Sequence, residues 1–213
     1  MLKKTMVKFG LFVKSEKIYW STNKIIYSIW FFCLAVLLVK EKVLSLESNL
    51  FDRIFQWTIV LTLVCGLVTK FKGFTQIEPL NGKIDGFLSF EQQFIKVKDE
   101  VFPIETIRKI QISNEDYRGK LSGISKGNFG PALSNGTNNF IVIFLESGKT
   151  KRFQFELLNS NDFQNVRETL IDYHLIGKID YWELAQVLGE KSTNETLALT
   201  SEIEKRSTTA NTC

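Results

Sequence analysis

The sequence predicts an α+β chain: two N-terminal transmembrane helices, then an antiparallel sheet or partial barrel closed by a C-terminal helix. Three observations predict it: two uncharged apolar runs bracketed by cations, period-two alternation from Gly73 onward, and one helical apolar stripe near the end. A length of 213 residues accommodates one or two domains, and 44% hydrophobic with 23% charged residues excludes a disordered chain. The formal charge of +4 is unevenly spread. Residues 1–72 carry 11 basic and 4 acidic side chains, whereas residues 73–213 carry 16 and 19. A nucleic-acid-binding body would carry its positive charge on the folded domain, so no nucleic-acid partner is expected.

The first apolar run, Ile25–Val39, lies between Lys24 and Lys40, and the second, Ile54–Thr69, between Arg53 and Lys70. Runs of 15 and 16 residues are shorter than a hydrocarbon core of about 30 Å requires. Snorkelling lysines and interfacial aromatics extend them to spans of about 20–39 and 54–71. Tyr19, Trp20, Lys24, Lys70 and Lys72 are the expected interface anchors. Ten Ile, Leu, Val or Phe residues in the first run and nine in the second are together worth roughly −4 kcal/mol of insertion free energy per span. The second span carries Thr58, Thr62, Thr69 and Gly66, which are expected to pack it against the first. Lysines concentrate before the first span and after the second, so both termini are expected in the cytoplasm. Two buried helices of a water-soluble protein are the other reading of runs this short.

The body starts near Gly73. Ile84, Gly86, Leu88 and Phe90 alternate with Lys83, Asp85, Phe87 and Ser89 as in a half-buried strand, and Glu91-Gln92-Gln93 turns the chain. Ile95 and Val97 alternate with Lys96 and Lys98, and Asp99-Glu100 turns it again. Val101–Ile104 is extended but held to an edge by Pro103, and Ile107, Ile110 and Ile112 make a further strand. Asn114–Asn139 is glycine-rich and loop-like. Phe140–Leu145 is apolar on both faces, Glu146–Lys149 is a hairpin turn, and Lys151–Leu157 alternates once more. Asn161 with Gln164 reads as a helix cap, Phe163, Val166, Leu170 and Tyr173 as one buried stripe, and Gly177 as its end. A shorter helix is expected from Asp180 to Leu188, closed by Gly189, and a disordered polar tail after it. The expected domains are therefore 1–72, 73–189 and 190–213.

Two apolar spans, then IEPLNGKIDGFLSF, FIKV, a strand ending near KIQIS, FIVIFLESGKTKRFQF and a helix: this order resembles bacterial two-span membrane proteins with a pleckstrin-homology-like (PH-like) domain. The resemblance covers roughly residues 20–177. It implies a seven-stranded split barrel whose seventh strand would lie near Asp116–Leu121. It also implies a membrane-anchored binding module facing lipid head groups or membrane-associated proteins, or, as the alternative, an accessory subunit of a larger membrane assembly.

In phosphoinositide-binding members of that fold, basic residues of the first hairpin hold the head group. Here the nearest match is Lys96-Val97-Lys98, beyond an acidic turn. These lysines are either a lipid- or partner-binding pair or the solvated side of a strand. Arg118, Lys120 and Lys126 in the glycine-rich loop are the other binding candidates, in either a contact surface or a tolerated insertion.

No catalytic constellation stands out. Ser147-Gly148-Lys149-Thr150 lacks the first glycine and the following helix of a phosphate-binding loop. His174 is a lone histidine, and Asp99-Glu100 and Glu115-Asp116 fall at turns. The three cysteines, Cys33, Cys65 and Cys213, form neither a disulfide framework nor a zinc pattern. Neither metal, cofactor nor catalysis is expected. The expected partners are the bilayer and a membrane protein.

Overall fold

The structure is a computed structural model that describes residues 7–40, 49–122 and 127–210. Its elements are β1 (Phe9–Lys14), α1 (Thr22–Val39), α2 (Asn49–Gly73), β2 (Gly82–Phe90), β3 (Phe94–Val97), β4 (Glu100–Pro103), β5 (Ile107–Ser113), β6 (Arg118–Leu121), β7 (Leu133–Asn135), β8 (Asn139–Leu145), β9 (Thr150–Phe155), α3 (Arg167–Leu175), α4 (Tyr181–Leu188) and α5 (Thr193–Ala210). They divide into two compact units. One is Met1–Lys14, Gly82–Arg118 and Gly136–Cys213; the other is Ser15–Asn81 and Gly119–Asn135.

The first unit is a seven-stranded sheet of order β4-β3-β2-β1-β9-β8-β5, with every neighbouring pair antiparallel. It consists of a four-strand meander, β1 to β4, and a three-strand meander, β5-β8-β9, joined where β1 meets β9. The sheet is open, with β4 and β5 at its ends.

The seventh strand is not where the sequence places it. β6 pairs with β7 in a separate two-stranded sheet, and the missing strand is β1, at the head of the chain. Residues 1–72 are therefore not one leader-and-hairpin domain. β1 forms because Phe9 and Leu11 alternate inward around Gly10, and all three of Phe9, Leu11 and Phe12 are buried. Lys8 and Lys14 at its ends hide that pattern among the cations of a membrane flank. A register shift opposite Gly10–Phe12 places the extra residue on β2, and Phe12 is buried beside Gly82, outside the cluster that holds Phe9 and Leu11.

The core is aromatic at one end. Phe163 stacks on Phe9 at 4.9 Å and packs on Phe90 and Phe155 at 5.9 and 5.8 Å. Phe163, Val166, Leu170 and Tyr173 are all buried as expected, although the segment opens as a 3-10 turn, Asp162–Val166, before α3. Asn161 makes no side-chain cap. Asp162 instead anchors the incoming loop, its carboxylate accepting from the Leu158 and Asn159 N–H groups at 3.0 and 2.9 Å. The Tyr173 hydroxyl donates to the Glu91 carbonyl, and burial raises its pKa. Gly177 and Gly189 take φ of +75° and +78°, the left-handed conformation in which glycine ends a helix at little cost. Phe140–Leu145 is only half as covered as expected: Ile141 and Ile143 are buried, while Phe140, Val142 and Phe144 are half-buried.

The segment expected to be a disordered polar tail is ordered over the described residues up to 210. Thr193–Ala210 is helical, with Leu199 fully buried in the core. Ser192 and Glu195 form a capping box: the Glu195 N–H donates to Ser192 Oγ at 3.3 Å and the Ser192 N–H to Glu195 Oε2 at 2.8 Å. Those donors hold the Glu195 carboxyl below its ordinary range. Arg167 pairs with Glu190 and Glu202, and Arg206 with Asp172, tying α5 to α3.

Both ends of the sheet are protected. β4 is four residues long and finishes at Pro103. β5 is covered by the following segment: the Ile110 N–H donates to the Lys178 carbonyl and the Ile112 N–H to Glu183 Oε1, both at 2.8 Å. Burial raises the Glu183 pKa above its ordinary 4.5, against the opposing pull of that N–H and of Lys109. A carboxyl that holds its proton more tightly when folded stabilises the fold at low pH, and that contribution is lost as pH rises through the raised value. Glu183→Gln keeps the acceptor and removes the proton. We expect urea midpoints measured between about pH 4 and 7 to fall less steeply with pH in the variant than in the parent.

The second unit holds two helices long and apolar enough to cross a membrane, Thr22–Val39 and Asp52–Gly73. Ser21 caps α1 by accepting from the Lys24 N–H at 3.3 Å. At the opposite end of the pair, Lys40 Nζ sits 2.6 Å from Asp52. The threonines do not join the helices: Thr58, Thr62 and Thr69 donate to carbonyls of Ile54, Thr58 and Gly66 in their own helix. Gly66 does face the first helix, as expected, and a ring as well: a Cβ there would stand 3.4 Å from Ile26 of α1 and 3.0 Å from Phe129.

Candidate functional site

The first unit has an interior gap between strands. β1 and β9 meet at Leu11↔Phe155, beside a backbone bond from the Glu156 N–H to the Gly10 carbonyl at 2.8 Å. Beyond that point the strands separate, and among the described residues no ladder pairing joins Val13 or Lys14 to β9. β1 stays with β2 instead, through Val13↔Lys83 and Lys14↔Gly82. β9 stays with β8, through Arg152↔Val142 and Phe153↔Ile141.

Backbone alternation fixes which peptide groups face this gap. The Ser15 N–H donates to Asn81, so the residue before it, Lys14, points its N–H and C=O away from β2. On β9 the Glu156 N–H points toward β1, and Gln154 and Arg152, two and four residues back, point the same way. Two strand edges thus look into one groove of about 660 Å³, lined also by Phe12, Val97 and Phe140. The Arg152 guanidinium lies over the Phe140 ring at 4.0 Å, which covers that apolar wall and holds the charge at the rim. Across the groove Glu100 pairs with Lys151 at 3.0 Å.

Lys96 and Lys98 are both exposed, but they are not equivalent positions on one strand face. Lys98 lies past the end of β3, in a two-residue turn with Asp99, at a left-handed φ of +56°. Its ammonium is 3.1 Å from Asp85, which also holds Lys83 at 3.0 Å; the two lysines together keep the Asp85 carboxyl below its usual range. Lys98 and Lys83 thus share a single carboxylate, and Lys98 also lines one groove with Lys8 and Lys96. Lys96 lines a smaller groove of about 360 Å³ with Lys8, Phe87 and Glu91, where the Lys8 ammonium is 5.7 Å above the Phe87 ring.

Arg118 and Lys120 sit on β6, outside the sheet that carries Lys96. Lys126 lies outside the described residues. Tyr19 and Trp20 are exposed just before α1, and the Lys24 ammonium donates back to the Tyr19 carbonyl at 3.2 Å. Lys70 and Lys72 occupy the last turn of α2.

The carboxylate pairs diverge. Glu115 accepts from Gln186 at 3.2 Å, while Asp116 is buried and accepts from the Asn138 N–H at 2.9 Å. His174 Nδ1 lies 2.8 Å from the Ile179 carbonyl, within the turn after α3. No group of three or more His, Cys, Asp or Glu that could hold a metal occurs among the described residues.

The gap residues Lys14, Phe140 and Arg152 were not singled out by the sequence. The signal for Lys14 was present, in the FGLFVK alternation; the separation of β1 from β9 has no local signature. Comparison with protein families, curated proteins and solved structures finds no match to this chain. What the fold defines is a mixed α+β protein with two apolar helices and an open, antiparallel sheet.

Proposed function

We propose that this protein is a membrane-anchored binding module whose PH-like domain takes an extended polypeptide segment of a membrane-associated partner into the gap between β1 and β9. The four-strand and three-strand meanders followed by α3 support the PH-like reading. The observation that carries the binding mode is the pair of strand edges, Lys14 on one side and Arg152 with Gln154 on the other, facing one groove. Main-chain hydrogen bonding to such an edge suits an extended peptide. A head group would need convergent free cations, and Lys98 is held by Asp85.

The membrane reading draws on the same strand. α1 and α2 form the connection between β1 and β2, and Lys14 pairs with Gly82 at the two ends of that connection. Two spans that begin and end at one strand pair return the chain to the side it left. The lysines flanking both helices make that side the cytoplasm. Tethering there raises the effective concentration of the domain for partners in the same membrane.

A photocrosslinking residue at position 152 of the full chain, irradiated in native membranes, tests this. A protein adduct is expected, and it is expected to disappear when Lys14→Pro removes the facing N–H while leaving the β2 pairing intact. Adducts to lipid alone, or a protein adduct indifferent to Lys14→Pro, overturn the strand-capture reading.

A further inference from the structure

The glycine-rich segment does not stand free of the second unit; it is seated on the helices. The Tyr27 hydroxyl donates to the Gly127 carbonyl at 2.6 Å. The Asn23 amide clamps the next two residues, donating to Asn128 Oδ1 at 2.7 Å and accepting from the Phe129 N–H at 2.7 Å. Phe129 then lies edge-on to Tyr27 and Trp30, at 6.0 and 5.9 Å, and over Gly66. Gly127 has φ of +84°, and a Cβ there would stand 2.5 Å from Tyr27 Oη, so the approach requires glycine on both counts.

Several backbone groups in and beside this segment are satisfied within the unit. The Gly130 N–H donates to Asn128 Oδ1 at 3.0 Å, the Ala132 N–H to Gly73 O at 2.9 Å, the Ser122 N–H to Ala132 O at 2.8 Å, and the Leu133 N–H to Gln76 O at 3.2 Å. Irregular backbone in water has no need of such closure; at membrane depth it is a condition of existence, because irregular chain survives there only when protein satisfies it. The depth follows from the helices. Gly66 is seven residues before the end of α2 at Gly73, and at 1.5 Å per residue Phe129 lies about 10 Å in from that end. Tyr27 and Trp30 lie at a corresponding distance from the start of α1. Around the same end, Ile18, Trp20, Phe71 and Leu121 are 80%, 60%, 73% and 52% exposed, an aromatic and aliphatic belt of the kind that lies at a lipid–water boundary.

We infer that Gly127–Pro131 is a re-entrant wedge that enters the boundary between head groups and acyl chains beside the two helices. The partner of this surface is the bilayer itself. The inference rests on the reading of α1 and α2 as spans.

The test uses the full chain in phosphatidylcholine–phosphatidylglycerol nanodiscs, with Cys33, Cys65 and Cys213 replaced by serine and one nitroxide placed by Pro131→Cys, Leu61→Cys or Trp182→Cys. Relaxation by oxygen against a water-soluble nickel chelate reads depth. The Leu61 label is expected to favour oxygen, the Trp182 label nickel, and the Pro131 label oxygen. A Pro131 label that favours nickel while Leu61 favours oxygen overturns the wedge and leaves the spans standing. A Leu61 label that favours nickel overturns the spans and the wedge with them. Hydrogen exchange of the unsubstituted chain in the same nanodiscs guards against damage by the label: slow exchange at Phe129, Gly130 and Ala132 is expected, and exchange at the rate of open chain overturns the wedge.

Discussion

A chain cut to begin at Gly73 does not fold. The truncation removes β1, the strand between β2 and β9, and with it the buried side chains of Phe9, Leu11 and Phe12. At roughly 1.5–3 kcal/mol for each buried apolar side chain, the loss is about 5–9 kcal/mol, against a total stability of about 5–15 kcal/mol for a domain. The remedy is equally specific. Lys14 lies opposite Gly82, so a short hairpin turn can replace Ser15–Asn81. Gly136 lies against Arg118, whose backbone N would be 2.6 Å from a Cβ on that glycine, so a second short turn can replace Gly119–Asn135. The expected outcome is cooperative urea unfolding for the rejoined chain and no transition for the truncated one. A folded truncation would show that β1 is dispensable.

Phe163→Ala carries the largest expected cost of any single substitution, about 3–5 kcal/mol for an aromatic deleted from a core. Phe163 is 1% exposed and its ring contacts Phe9, Phe90 and Phe155. It therefore joins β1, β2, β9 and the turn before α3 at one point, and none of the four can move to fill the cavity without breaking ladder pairing. Leu158→Ala, at a residue 54% exposed, is expected to change stability by no more than about 0.5 kcal/mol. Equilibrium unfolding of both variants in the rejoined chain gives the comparison, and equal costs would mean that the aromatic cluster is not the centre of the core.

How much of this was legible depends on whether the information was local. β2, β3 and β9 announce themselves because each alternates beside a turn, and β8 because a short apolar run ends at one; the Ser147-Gly148 turn even carries the glycine, at φ +80°, that the hairpin needs. β1 alternates too, but over six residues beside lysines that also fit a membrane flank, and nothing within the segment distinguishes the two. α5 has polar composition, which suggested disorder; its signals were the Ser192–Glu195 capping box and Leu199 with Ile203 four residues on, a sparse stripe that packs against the core. For binding residues read from charge alone the missing information is the partner, which charge does not reveal. Lys98 looks free in sequence and is held by an aspartate 13 residues earlier. The gap between β1 and β9 depends on two strands from opposite ends of the chain parting after one pairing, and the loop seat on Tyr27 and Asn23 bridges about a hundred residues. Neither could be read from neighbours.

The placement of β1 ahead of both apolar helices also dictates an order of assembly during synthesis. The ribosome delivers Phe9–Lys14 first, yet one of its neighbours, β9, emerges last among the strands. Leu11 must wait for Phe155 while the helical pair between them is already made. Nascent β1 can pair with β2 once Phe90 has emerged, but its second edge stays open until the closing third of the message delivers β9.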